Sequence, residues 1–100
     1  DGVPQDFERA TDLFQKAARA GDLDSRYWYA RALAYGIGIP KDAVKAAAWS
    51  IFSEAAGDVR AGAILAGLRK TLKESEGVRA NRLFVDLLKE MGPVHSGGPP

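Results

Sequence analysis

Gly38-Ile39-Pro40-Lys41-Asp42 repeats the pattern of Gly2-Val3-Pro4-Gln5-Asp6 at a distance of 36 residues. The residues after this pattern align at the same distance, with no insertion or deletion. Four further identical pairs result: Ala10 with Ala46, Ala20 with Ala56, Gly21 with Gly57, and Asp22 with Asp58. A constant offset of this length is typical of helical repeats, in which each unit is one supersecondary element. The sequence therefore predicts a repeat protein.

The composition predicts that the repeating unit is helical. Apolar residues make up 46% of the 100 residues and charged residues 27%, which is a globular balance. Alanine is used heavily, runs of β-branched residues are absent, and glycine and proline occur at discrete places. A chain of this length forms one small domain, so we expect a few short helices that share a thin core.

Glycine and proline divide each unit into two helices. Gly21 and Gly57 follow long helical stretches, and glycine at positive φ readily closes a helix. A helix is expected from about residue 22 to about Tyr35, and the next from Pro40-Lys41-Asp42 to about Ala56. The break between them is Gly36-Ile37-Gly38, where we expect at least one positive φ, with Gly36 favoured as the residue that ends the first helix.

Two more helices are predicted after residue 57, in a part of the chain that lacks the glycine turn. Apolar residues at helical spacing predict one helix from Val59 to Leu72 and a last one that ends near Met91. Residues 74–77, which end in glycine, are expected to separate the two. Residues 92–100 hold three glycines and three prolines and are expected to form a disordered tail.

The turn and the helix that follows it resemble the Sel-one-like repeat family, a branch of the tetratricopeptide-type helical repeats. The residues that carry the resemblance and are expected to have structural roles are Gly36, Gly38, Asp42, Ala46, Trp49 and Gly57. The resemblance implies an all-α fold, an α-α superhelix in which antiparallel helix pairs stack as a short solenoid. It also implies that Trp49 is a wedge between neighbouring helices.

The resemblance divides residues 1–91 into a partial unit (1–21), a full unit (22–57) and a degenerate closing unit (58–91). Because one helix pair cannot bury its apolar face alone, units of this kind stack on each other. The partial unit at the start leads us to expect that further repeats precede Asp1 or that another chain covers the exposed end.

Residues that could support catalysis or hold a cofactor are few. The sequence has no cysteine, and its only histidine is His95 in the tail. Gly36-Ile37-Gly38 lacks the lysine and the preceding strand of a phosphate-binding loop. The carboxylate pairs Asp22/Asp24 and Glu74/Glu76 flank predicted helix starts, where negative charge favours the helix dipole. We therefore predict no enzymatic activity, no cofactor and no metal site.

The charge distribution argues against nucleic acid and membrane as partners. The net charge is +1, and the basic residues of the last third alternate with acidic ones, which is typical of solvated ion pairs. No apolar run approaches the roughly 20 residues of a membrane-spanning helix. We predict neither nucleic-acid binding nor membrane insertion.

The aromatic run Tyr27-Trp28-Tyr29 is the strongest candidate for a binding site. If Tyr29 and Leu33 point inward, as the resemblance implies, helical geometry places an outward stripe on the opposite side. That stripe consists of Trp28, Arg31 and Tyr35. Tryptophan, tyrosine and arginine are enriched at binding hot spots. The alternative is that Trp28 packs against a neighbouring unit or lies on the surface without a function.

These observations predict a scaffold or adaptor that binds another protein. The resemblance implies regulation of a signalling partner, such as a bacterial membrane sensor, and it favours the periplasm, with the cytoplasm as the alternative. A second class of function remains open, in which the solenoid ends stack on copies of the chain and the protein is a structural, self-associating module. The sequence does not identify the partner.

Overall fold

The structure, a computed structural model, describes residues 3–92. Of the predicted tail, residues 92–100, only Gly92 is among the described residues, and His95 lies outside them. Within this range the chain forms five helices and no strand, which confirms the all-helical fold. The helices are α1 (Val3–Arg19), α2 (Leu23–Tyr35), α3 (Ala43–Ala55), α4 (Val59–Arg69) and α5 (Glu74–Met91).

An aspartate begins each of the three central helices. The Asp22 carboxylate accepts a hydrogen bond from the Ser25 backbone N–H at 2.9 Å at the start of α2. Asp42 caps α3 in the same way through Lys45 at 3.0 Å. Asp58 accepts from the Arg60 N–H at 3.0 Å before α4. Each carboxylate satisfies a backbone donor that has no partner within the helix, which fixes where the helix starts.

The turn between α2 and α3 packs directly against α1. Gly36 and Gly38 both have positive φ, 71° and 70°. The expectation for Gly36 is confirmed, because Gly36 ends α2 in the left-handed conformation. Gly38 is the more constrained of the two, since a Cβ there would overlap the backbone of Phe7. The Thr11 hydroxyl donates to the Ile37 carbonyl at 2.7 Å and holds the turn on α1.

Helix α3 lies at the centre of the molecule and packs against α2, α4 and α5. Ala46, Ala47 and Ala48 are buried, and their small side chains let the neighbouring helices come close. Trp49 is only 2% exposed and makes edge-to-face contacts with Tyr29 and Phe52, with ring centroids 5.2 and 5.9 Å apart. This aromatic group fills the space that the alanines leave.

The C-terminal helices differ from their predicted bounds. Helix α4 ends at Arg69 rather than Leu72, and α5 begins at Glu74, so that Gly77 is helical and does not separate two helices. The Glu76 carboxylate accepts from the Lys73 backbone N–H at 2.8 Å, and the acidic first turn favours the positive end of the helix dipole. These contacts start the helix before the glycine.

Helix α5 covers the side of α3 that carries Phe52. Phe84 meets Phe52 edge-to-face at a centroid distance of 6.1 Å, and Leu87 is buried in the same core. An ion pair between Arg19 at the end of α1 and Glu90 of α5, 3.4 Å long, joins these two helices. The last helix therefore completes the core around α3.

Replacing Trp49 by alanine is expected to reduce the free energy of unfolding by about 3–5 kcal/mol, as large-to-alanine changes in a core do. The loss is comparable to the total stability of a small domain. Thermal or urea denaturation followed by circular dichroism measures it. A melting temperature within about two degrees of the parent would mean that Trp49 does not hold the core.

Gly38→Val is expected to destabilise the protein more than Gly36→Val, because only Gly38 adds a backbone overlap to its positive φ. Gly77→Ala is the matched control, since this helical glycine has open space around it and alanine favours helices by up to about 1 kcal/mol. Melting temperatures rank the three variants. Equal stability of both valine variants and the parent would contradict the described turn.

Candidate protein-binding surface

The rotation of α2 about its axis determines which side chains face outward. Tyr29 and Leu33 are 3% and 1% exposed and point into the core. Trp28 and Arg31 are half-buried on the other side, and Tyr35 is 64% exposed. The helix therefore turns all three residues of the predicted stripe away from the core.

Arg31 joins the two aromatic rings of this stripe. Its guanidinium carbon lies 5.7 Å from the ring centroid of Trp28 and 5.8 Å from that of Tyr35. Both distances are within the range of cation–π attraction. We call these three residues the α2 stripe. Arg31 forms no ion pair with any carboxylate in residues 3–92.

Trp28 is half-buried, and three neighbouring residues contact its ring. Its Nε1–H donates to Asp24 at 3.0 Å, one turn earlier on the helix. Its ring stacks on Phe14 of α1 at a centroid distance of 6.1 Å and meets Tyr27 edge-on at 4.9 Å. One face of the indole is thus covered by the protein itself, and its orientation is fixed before any partner binds.

Sequence reasoning missed Arg60, which connects α4 to this surface. Its guanidinium pairs with Asp24 of α2 and with Asp58 at 2.7 Å. The same group lies over the Tyr27 ring, 4.1 Å from its centroid, and 5.7 Å from that of Trp28. Asp24 and Arg60 are 36 residues apart, so opposite charges at equivalent positions of successive units were the signal that could have revealed the contact.

Hydrogen bonds to the capping aspartates stabilise their charged forms. The Arg60 side chain lowers the pKa of Asp58 below its usual value, chiefly by donating to its carboxylate. Asp58, and then Asp24, raise the pKa of Arg60 in return. The Ser25 hydroxyl and backbone N–H lower the pKa of Asp22. Asp22 and Asp24, which sequence analysis assigned to a helix start, therefore act as a cap and as an ion-pair partner, and Asp58 has both roles.

A groove runs between α1 and α2 beside the α2 stripe. It contains a cavity of about 240 Å³, and next to this cavity, beside the turn at Gly36–Pro40, lies a more open depression of about 720 Å³ that shares Phe7, Arg31 and Ile37 with it. The residues that define this α1–α2 groove are Phe7, Ala10, Phe14, Trp28, Arg31 and Ile37. Ala32 and Thr11 also line it, and the Thr11 hydroxyl is used in its hydrogen bond to Ile37, so that Arg31 is the charged residue of an otherwise largely apolar lining.

No three histidine, cysteine, aspartate or glutamate side chains of residues 3–92 come together as a set of metal ligands. In the same range, no helix combines the length and the apolar character needed to cross a bilayer.

Stacked helix pairs related by an offset of 36 residues define the described chain as an α-solenoid. A family model, the Sel1 repeat, matches residues 1–22 and 23–58, and the chain belongs to the Sel1 repeat family. Sel1 repeats generally mediate protein–protein interactions, and the proteins that contain them are typically non-catalytic scaffolds. No curated protein and no solved structure matches the chain.

Asp22→Asn is expected to flatten the acid side of the stability profile. Because the pKa of Asp22 is lowered in the folded state, its contribution is fully present above the unfolded value of 3.8 and is lost as the pH falls through the lower folded value. Asparagine still caps the helix but does not titrate. Melting temperatures between about pH 2 and pH 6 test this, and identical profiles for parent and variant would contradict it.

Proposed function

We propose that this protein is an interaction scaffold and that the α2 stripe is its binding surface for another protein. The observation that carries the proposal is the arrangement of Arg31 between the rings of Trp28 and Tyr35, on the side of α2 that faces away from the core. These three residue types are the ones most enriched among residues that dominate binding energy. Membership of the Sel1 repeat family supports the same class of function.

The stripe is prepared for binding because its supports are already formed. Asp24 and Phe14 hold Trp28, and buried residues hold the opposite side of α2. A side chain that is ordered before association loses less conformational entropy when a partner binds. We therefore expect the backbone of α2 to move little on binding.

The chemistry of the stripe favours a partner that offers carboxylates or aromatic rings. A guanidinium can grip a carboxylate with two hydrogen bonds or stack on a ring, and the two flanking rings add apolar area. On the family resemblance we propose further that the partner is a signalling protein, such as a bacterial membrane sensor, and that the two meet in the periplasm.

Self-association through the solenoid ends is the second candidate function, and one observation favours it. Leu13 on α1 is 64% exposed, whereas Trp49, which occupies the equivalent position one repeat later, is 2% exposed. A second copy stacked on α1 would cover Leu13. Light scattering over a range of concentrations distinguishes self-association from the binding of another protein. A dimer that forms with rising concentration and that Leu13→Asp dissociates supports self-association.

Trp28→Ala is expected to weaken binding to the partner by roughly 2 kcal/mol or more, which is about thirtyfold in Kd. Arg31→Ala is expected to give a smaller loss that shrinks as salt is added. A partner captured from the source organism is purified, and titration calorimetry gives each Kd. Val85→Ala is the control, because Val85 is an exposed apolar residue on α5, outside the α2 stripe, and this variant is expected to bind like the parent.

Stability is measured alongside binding, because one face of Trp28 packs on Phe14. We expect Trp28→Ala to melt lower than the parent but well above Trp49→Ala. A variant that remains folded and binds with the parent's Kd would overturn the proposed surface.

A further inference from the structure

We propose that a notch between α2 and α4 anchors the partner protein by receiving one of its apolar side chains, with an acidic side chain next to it. This α2–α4 notch is a cavity of about 220 Å³, and its lining includes Tyr35, Lys41, Ile64, Gly67, Leu68 and Thr71. The inference rests on the proposed function, because Tyr35 belongs both to the notch and to the α2 stripe. It goes beyond that function by naming a second contact and the chemistry of the segment that makes it.

Both walls of the notch belong to helices that the structure describes. Tyr35 ends α2, and Gly67 lies near the end of α4, which the offset of 36 residues relates to α2. By the same offset, a preceding unit would lie beside Arg31, the counterpart of Gly67, and a following unit beside Thr71, the counterpart of Tyr35. Neither of these places is the space between α2 and α4.

A glycine keeps the notch open. A Cβ built at Gly67 would meet no atom of a neighbouring helix within 4 Å. One repeat earlier, the same place is occupied by the long side chain of Arg31. Glycine inside a helix costs up to about 1 kcal/mol relative to alanine. At this position it leaves a space on the surface that a side chain of a partner can fill.

The floor of the notch is apolar. Ala34, Ile64 and Leu68 line it, and all three are buried. An apolar cavity of about 150 Å³ is large enough to hold benzene. The notch therefore has room for one side chain of the size of leucine or phenylalanine, which would lose its contact with water there. A polar side chain would find no hydrogen-bond partner among the side chains of this floor.

Lys41 supplies the charge at the rim of the notch. Its side chain forms no ion pair with any carboxylate in residues 3–92. Among the described residues no acidic one lines the notch, and the adjacent Asp42 already accepts the Lys45 backbone N–H as the cap of α3. The Thr71 hydroxyl donates to the Leu68 carbonyl. A partner's carboxylate would therefore meet one cation here, with no acidic residue of the notch to repel it.

Tyr35 joins the notch to the α2 stripe. Its ring is 64% exposed, and the guanidinium carbon of Arg31 lies 5.8 Å from its centroid. A partner that lies across Tyr35 can therefore reach the stripe and the notch in one complex. The second contact then forms within a complex that already exists, which makes two linked contacts tighter than either one alone.

A displayed library of short peptides, selected on the full chain and counter-selected on Gly67→Leu, tests the proposal. Leucine at this position has open space around its Cβ and favours the helix, so we expect the variant to remain folded. Surviving peptides are expected to combine one apolar residue with one acidic residue. Selection on Lys41→Glu is expected to exchange the acidic residue for lysine or arginine. Survivors without an acidic preference, or no survivors at all, would overturn the inference.

Matched variants give the quantitative arm of the experiment. Gly67→Leu is expected to weaken a selected peptide at least tenfold, which is 1.4 kcal/mol. Lys41→Met is expected to weaken it about fivefold, as the loss of an ion pair at a rim does. The controls are Gly77→Leu, at another helical glycine with open space around it, and Lys45→Met, at an exposed lysine outside the notch. Both are expected to bind like the parent.

A peptide whose acidic residue is replaced by the corresponding amide tests the ion pair itself. This change is expected to weaken binding to the parent about fivefold and to leave binding to Lys41→Met almost unchanged. An equal loss for both proteins would show that the carboxylate does not meet Lys41, which contradicts the inference.

The outcomes separate this inference from the proposed function. If Trp28→Ala weakens the natural partner while Gly67→Leu and Lys41→Met do not, the α2 stripe stands and the notch inference fails. If only the two notch variants weaken it, the notch stands and the proposed stripe fails. If none of the three does, both fail. A concentration-dependent dimer that Gly67→Leu dissociates would show that a second copy occupies the notch, which also contradicts the partner proposed here.

Discussion

The close approach of α3 to its neighbours is the constraint on which the rest of the structure depends. Three consecutive alanines, Ala46 to Ala48, present almost no side-chain bulk, so that helices can pack on several sides of α3. Trp49 and Phe52 fill the remaining space with aromatic contacts to α2 and α5. A larger residue at any of the three alanines would push a neighbouring helix outward and disturb the stack.

This central packing determines what α2 presents to solvent. Tyr29 is fixed against Trp49, so α2 cannot rotate, and the residues on its other side are oriented by the core. Arg60 then ties the start of α4 to Asp24, across one repeat of the solenoid. Because this ion pair is exposed, it adds little to stability, and its main effect is to set the spacing of two neighbouring helices beside the α2 stripe.

Much of the fold could be predicted because its determinants are local. The aspartates before α2 and α3, and Gly36 at the end of α2, act within a few residues of their own position. The offset of 36 residues shows that such local signals recur along the chain. The early start of α5 was missed because Gly77 suggested a break, although the first-turn carboxylates outweigh the cost of one helical glycine. Local patterns could not rank the two competing effects.

The candidate surface was predictable only in part, because some of its contacts join separate helices. Helical spacing identified Trp28, Arg31 and Tyr35 as neighbours, and the structure places their side chains together. The stacking of Trp28 on Phe14 and the reach of Arg60 depend on how separate helices pack, which spacing along one helix does not contain. Gly38 is similar, since its constraint is the backbone of Phe7 on another helix.

Native-state hydrogen exchange measured by NMR tests the central role of α3 most directly, because it reports the opening free energy of each helix separately. The packing described here predicts that amides in the middle of α3, around Trp49, exchange most slowly and only through global unfolding. Those of α1, whose outer side carries the exposed Leu13, are predicted to exchange faster through local opening. Protection of α1 that equals or exceeds that of α3 would contradict a structure organised around α3.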